Sequence, residues 1–103
     1  MLMKSIKTVL ENGNIEYINE AGKLHRTDGP AAEYSDGSYK YYDNGVLHRT
    51  DGPAIKHACG AKLYYINGVL HRTDGPAIEW SDGTVSYYID GVQVKSLEDR
   101  TPA

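Results

Sequence analysis

The chain has no phenylalanine, one tryptophan, one cysteine and no long hydrophobic run. Each shortage excludes something. With Cys59 alone no intramolecular disulfide can form, and a single thiol fits a reducing compartment. The start Met1-Leu2-Met3-Lys4-Ser5-Ile6-Lys7 lacks the continuous apolar core of a secretory signal, and no stretch approaches the roughly 18 apolar residues of a membrane span. The expectation is a cytoplasmic protein with no membrane partner. Charge of one sign is scarce as well. The 11 basic and 14 acidic residues are interspersed to a formal −3, so duplex nucleic acid and anionic lipid find no broad cationic field. A length of 103 residues allows one domain with a thin core, and nine tyrosines in place of phenylalanine suggest tyrosine as the main packing residue, half-buried with its hydroxyl in reach of water.

What the chain has instead is self-similarity. Gly68-Val69-Leu70-His71-Arg72-Thr73-Asp74-Gly75-Pro76-Ala77 has near-copies beginning at Gly45 and Gly22, and Gly22, Gly45, Gly68 and Gly91 are spaced by a constant 23 residues. A fixed period of this length means stacked supersecondary units. The reading is three full units, 22–44, 45–67 and 68–90, between an N-terminal half-repeat at 1–21 and a C-terminal half-repeat at 91–103. Terminal units of such arrays are atypical because they shield one face from water.

Glycines cut each unit into pieces too short for ordinary helices. In the third unit Ala77-Ile78-Glu79-Trp80 reads as a strand, Ser81-Asp82-Gly83 as a turn and Thr84 to Ile89 as the returning strand. Asn44-Gly45, Asn67-Gly68 and Asp90-Gly91 then supply turns in which both residues tolerate positive φ. In Thr-Asp-Gly-Pro, the aspartate is expected to bond to amides two residues on and the glycine to take positive φ. The start is ambiguous, since Leu2, Met3, Ile6, Val9 and Leu10 suit a short helix face, but Val9 to Gly13 align with Glu79 to Gly83, which places Leu10 in the column of Trp80. Leu97-Glu98-Asp99-Arg100 departs from the repeat and ends it, leaving Thr101-Pro102-Ala103 frayed. The fold class expected is all-β, a tandem β-hairpin array forming a single sheet or flattened solenoid.

Stacking generates columns. Leu24, Leu47 and Leu70 form one; Tyr17, Tyr41, Tyr64 and Tyr87 form another; Ile18, Tyr42, Tyr65 and Tyr88 lie on the opposite face of the same strand. One tyrosine ladder is expected in the core and the other as an exposed, interaction-prone stripe.

A 23-residue hairpin repeat with Tyr-Tyr-x-Asn-Gly resembles the MORN and MORN-like repeats. More narrowly, Leu-His-Arg-Thr-Asp-Gly-Pro-Ala followed by Ile-Glu-Trp-Ser-Asp-Gly is similar to a tandem repeat of bacteriophage and giant-virus proteins, over residues 22–91. The chain lacks the tryptophan and close glycines that follow Asn-Gly in ordinary MORN repeats, so membrane roles do not carry over. Related repeats in bacterial antitoxins imply a rival role. None of these families implies catalytic residues.

Three sets of residues carry candidate chemistry. His25-Arg26, His48-Arg49 and His71-Arg72 form a ladder of donors suited to phosphate or carboxylate, or else each arginine pairs with Asp28, Asp51 or Asp74 of its own turn while the imidazole bonds within the stack. Cys59 with His57 and a stacked His48 or His71 is the one thiol and base combination, without an oxyanion donor set or third orienting residue. Lys56-His57-Ala58-Cys59-Gly60-Ala61-Lys62 breaks the pattern of its neighbours, with Lys56 where they carry Glu33 and Glu79. No paired spacing marks a zinc or calcium site, and no cofactor is expected.

The function these features imply is a non-catalytic binding protein. The resemblance implies a phage-encoded inhibitor acting in the bacterial host cytoplasm on a defence protein; the tyrosine stripe and the divergent middle hairpin make Tyr42, Tyr65, Tyr88, Lys56 and His57 the expected contact residues. The alternatives are a sponge for a nucleotide signal, held by the His-Arg rows, and an antitoxin-like or virion structural protein. Open terminal strands make a homodimer a further expectation.

Overall fold

The computed structural model describes residues 5–96. Within them the chain is all antiparallel β-structure without a helix, so no helix is long and apolar enough to cross a membrane. The expectations for Leu2, Met3 and residues 97–103 lie outside the described residues. Each hairpin begins where the turn chemistry is strongest. β1 (Ile6–Val9) and β2 (Ile15–Ile18) close over Leu10 to Asn14, whose ring is made by Leu10 N–H to Asn14 O at 2.8 Å and Gly13 N–H to Leu10 O at 2.9 Å. The same ring recurs at Tyr34 to Ser38, His57 to Ala61 and Trp80 to Thr84. Ile6 to Val9 is therefore extended, and Leu10 takes the place in its turn that Trp80 takes later.

The next strands are β3 (Ala32–Glu33), β4 (Tyr39–Lys40), β5 (Tyr42–Asp43) and β6 (Val46–Leu47). They are followed by β7 (Ile55–Lys56), β8 (Lys62–Leu63), β9 (Tyr65–Ile66) and β10 (Val69–Leu70), then β11 (Ile78–Glu79), β12 (Val85–Ile89) and β13 (Val92–Val94). Nine of them make one sheet in the order β1-β2-β3-β4-β7-β8-β11-β12-β13, while β5–β6 and β9–β10 form two-stranded ribbons beside it. A ribbon is the continuation of a sheet strand past one tyrosine: Tyr41 separates β4 from β5, and Tyr64 separates β8 from β9. The ribbons turn at Asn44-Gly45 and Asn67-Gly68, where asparagine φ is 50° and 49° and glycine φ is 83° and 85°. Positive φ at both central residues is the geometry that matches strand twist in a two-residue hairpin.

The molecule is flat, 43 × 34 × 16 Å, and its core differs from the expectation. The buried apolar residues are Ala31, Ala32, Ala54, Ile55, Ala61, Ala77 and Ile78, with no aromatic among them. Alanine and isoleucine are the packing residues. Both tyrosine ladders are half-buried, so neither is a core column and neither is an exposed stripe. A slab one sheet thick covers each large ring from one side, and full burial is left to small side chains near the mid-line.

Candidate functional site

Arg26, Arg49 and Arg72 each lie flat on the tyrosine of the preceding strand, with the guanidinium carbon 3.9, 3.9 and 4.0 Å from the ring centres of Tyr17, Tyr41 and Tyr64. The aromatic face attracts the cation. From that pose Nε donates to Asp28, Asp51 and Asp74 at 2.8, 2.8 and 3.0 Å, and Nη1 donates to the carbonyls of Pro30, Pro53 and Pro76. Thr-Asp-Gly-Pro is thus a clamp around an arginine. Its aspartate accepts from the side chain rather than from an amide two residues on, and that local Asx bond is made instead by Asp36 to Ser38 N–H and Asp82 to Thr84 N–H. Its glycine is not in the positive-φ region either. A Cβ at Gly52 would stand 2.8 Å from the Arg49 guanidinium carbon, so glycine is there to let that group cross the backbone.

Partial burial pulls each arginine pKa down, but the hydrogen bond to Asp28, Asp51 or Asp74 and the nearby tyrosine leave it raised above its ordinary value. In return the Arg49 hydrogen bond and charge hold the Asp51 carboxyl below the usual carboxylate range.

The histidines bind the next unit. Nδ1 of His25, His48 and His71 accepts the backbone N–H of Asn44, Asn67 and Asp90 at 3.0, 3.0 and 2.9 Å. The glycine following each of those residues donates to the preceding Leu24, Leu47 or Leu70 carbonyl at 2.7 to 2.8 Å. Both amides of every Asx-Gly turn therefore reach back to a Leu-His pair. An Nδ1 that accepts is unprotonated, which puts the proton of the neutral ring on Nε2; in buried His25 that Nε2 has no hydrogen-bond partner.

Two open grooves, of about 490 and 590 Å³, lie between successive clamps; His25, Arg26, His48 and Arg49 line the first, and Arg49, His71 and Arg72 the second. Tyr42, Tyr65 and Tyr88 sit half-buried on the opposite strand face, paired across the ribbons with Leu47, Leu70 and Gln93. Lys56 is half-buried on β7, and His57 and Cys59 are exposed in the turn after it. Cys59 is not brought to His48 or His71. His48 is bonded to Asn67, at the far end of the strand that leaves the Cys59 turn, on the order of 20 Å away at strand rise. Among the described residues no group of three or more His, Cys, Asp and Glu side chains is placed to hold a metal.

Three features went unnoticed in the sequence. Val46, Val69 and Val92 are 42%, 43% and 65% exposed at one point of successive units, an aligned aliphatic column. Its signal is the Gly-Val that recurs every 23 residues. Asn19, 4% exposed, accepts from the amides of Ala21 and Lys23 and donates to the Asn44 side chain at 2.7 Å, so it braces the one turn that carries an extra residue. Lys62 stands directly opposite Lys56, and nothing short of the register would have paired them.

Comparison of the chain with protein-family models, with curated proteins and with solved structures gives no match.

Proposed function

We propose that this is a non-catalytic binding protein that works by covering the surface of a protein partner, with the Val46, Val69 and Val92 column as the centre of contact. The observation that carries the reading is how the repeated groups are used. Arg26, Arg49 and Arg72 are tied to their own aspartates and tyrosines, and His25, His48 and His71 to the next unit's amides. From the second unit on, the residue after the turn glycine is a valine that faces water; Val69 and Val92 stand opposite Ile66 and Ile89, and Val46 opposite Asp43. An aligned apolar stripe bounded by polar residues is the kind of surface a protein partner covers.

The resemblance to phage repeats supports a bacterial defence protein as that partner. The test is expression of the chain in bacterial strains that each carry one anti-phage defence system, read as phage plaque counts. Restored plaquing against one system, lost in the Val46→Glu, Val69→Glu double variant, is the expected result. Unchanged plaquing across all strains would overturn the inhibitor reading.

A further inference from the structure

Three Asn-Gly pairs lie in the chain, at Asn12-Gly13, Asn44-Gly45 and Asn67-Gly68. Such a pair is reactive because glycine has no side chain to shield its nitrogen from the carboxamide before it. The surroundings decide which pair reacts. Asn12 Oδ1 accepts the Asn14 amide at 3.0 Å. Asn44 is held twice: its Oδ1 accepts from Nδ2 of buried Asn19 at 2.7 Å, and its Nδ2 donates to Asp43 Oδ1 at 3.4 Å. Asn67 is exposed, and its carboxamide has no hydrogen-bond partner among the described residues.

The backbone is constrained alike at the two joints between units. Asn44 and Asn67 have φ of 50° and 49°, and their amides donate to Nδ1 of His25 and His48 at 3.0 Å. Gly45 and Gly68 donate to the Leu24 and Leu47 carbonyls at 2.7 and 2.8 Å. A glycine nitrogen bonded in this way attacks only when its joint opens, an event confined to the low end of a fold's local stabilities. Two differences remain, and both favour Asn67. Its carboxamide is untethered, and its joint rests on half-buried His48 where the other rests on buried His25.

We infer that Asn67 is a site of spontaneous deamidation. Hydroxide removes the Gly68 amide proton in the opened joint, and the nitrogen attacks Asn67 Cγ. The N–Cγ bond forms, the Cγ–Nδ2 bond breaks, and Nδ2 takes a proton from water and leaves as ammonia. Water then opens the cyclic imide at either carbonyl, giving aspartate or isoaspartate. The fold already accommodates the first product, since Asp90-Gly91 makes the same turn with φ of 50° and the same amide bond to His71 at 2.9 Å. The second adds a carbon to the backbone of a two-residue turn, which the pairing of Ile66 with Val69 does not survive. Chemistry at Asn67 thus acts on the strand pair that presents Val69, whatever covers that valine.

The full chain is aged in mildly alkaline buffer and digested with trypsin, which puts Asn12, Asn44 and Asn67 in separate peptides. Mass spectrometry follows the amide-to-acid gain in each. Asn67 is expected to convert several-fold faster than Asn44 and ahead of Asn12. His48→Leu, which loosens the second joint, should speed Asn67 by about 5-fold, the weight of one hydrogen bond, and leave Asn44 unchanged. Asn19→Ala should speed Asn44 alone, with Tm showing that each variant is folded. In urea the Asn44 and Asn67 rates should converge. No conversion in the folded chain, conversion at Asn12 or Asn44 ahead of Asn67, an unchanged rate in folded His48→Leu, or an Asn67 lead that persists in urea would each overturn the inference.

Discussion

The backbone amide of Asn67 donates to Nδ1 of His48 at 3.0 Å across 19 residues of sequence, tying the turn of one unit to the histidine of the unit before it. The acceptor, not the ring as such, is what the turn requires. His48→Leu removes it and His48→Asn offers a side-chain oxygen near the same point. A loss of about 1 kcal/mol is expected for leucine, the usual net worth of one hydrogen bond, and a smaller loss for asparagine. Urea unfolding of the two variants decides it, and equal losses would count against the bond.

Arg72→Ala should cost more than Arg49→Ala. Arg72 has two carboxylates, Asp74 and Glu79, whereas Arg49 has Asp51 and the neutral Tyr39 hydroxyl, with Lys56 at the glutamate's position. Charged hydrogen bonds and the cation on its ring suggest about 1–3 kcal/mol for Arg72, reduced by the exposure of Asp74, and less for Arg49. At this chain size each kcal/mol is roughly 4–8 °C in Tm. Equal drops in Tm would refute the role given to Glu79.

Acid should weaken the fold in a defined window. The Ser38 hydroxyl and amide hold Asp36 below its ordinary pKa, the Thr84 hydroxyl and amide do so for Asp82, and Arg49 does so for Asp51. A carboxylate depressed on folding contributes stability that is complete above its unfolded pKa, about 3.9, and is lost as pH falls through the folded value. Tm is expected to be insensitive to these three groups from pH 5 to 7 and to fall below about pH 4. Carboxyl NMR titrations of Asp36, Asp51 and Asp82 with midpoints at or above 3.9 would contradict this.

Among the described residues the sheet ends at β1 and β13, and β1 exposes Ile6 at 55% and Val9 at 63%. Such an edge pairs readily with another copy. A concentration-dependent dimer is expected in light scattering, and Ile6→Lys with Val9→Lys should return it to monomer. A monomer at every concentration would remove the homodimer from the account.

Much of this architecture is legible in the residues, and the reason is local. Asn67-Gly68 announces its turn because positive φ at two successive positions is a demand few residue pairs meet. The arginine clamp is half legible. Asp51 two residues after Arg49 suggests a pair, but the role of Gly52 depends on a guanidinium arriving from three residues upstream, which no turn rule contains. The half-burial of the tyrosines was legible in the composition, but the expectation that one ladder forms the core failed because composition cannot reveal that the slab is one sheet thick. Lys56 stood out against Glu33 and Glu79 by period alone. Its opposition to Lys62 needed the strand register, and the valine column needed to be seen facing water.

The most direct test of the account is capture by the tagged wild-type chain beside its Val46→Glu, Val69→Glu variant, with bound protein quantified by mass spectrometry and folding checked by Tm. The account expects one partner near unit stoichiometry with the wild type, reduced at least 10-fold by the variant at unchanged fold. A folded variant that keeps its partner would contradict the docking surface.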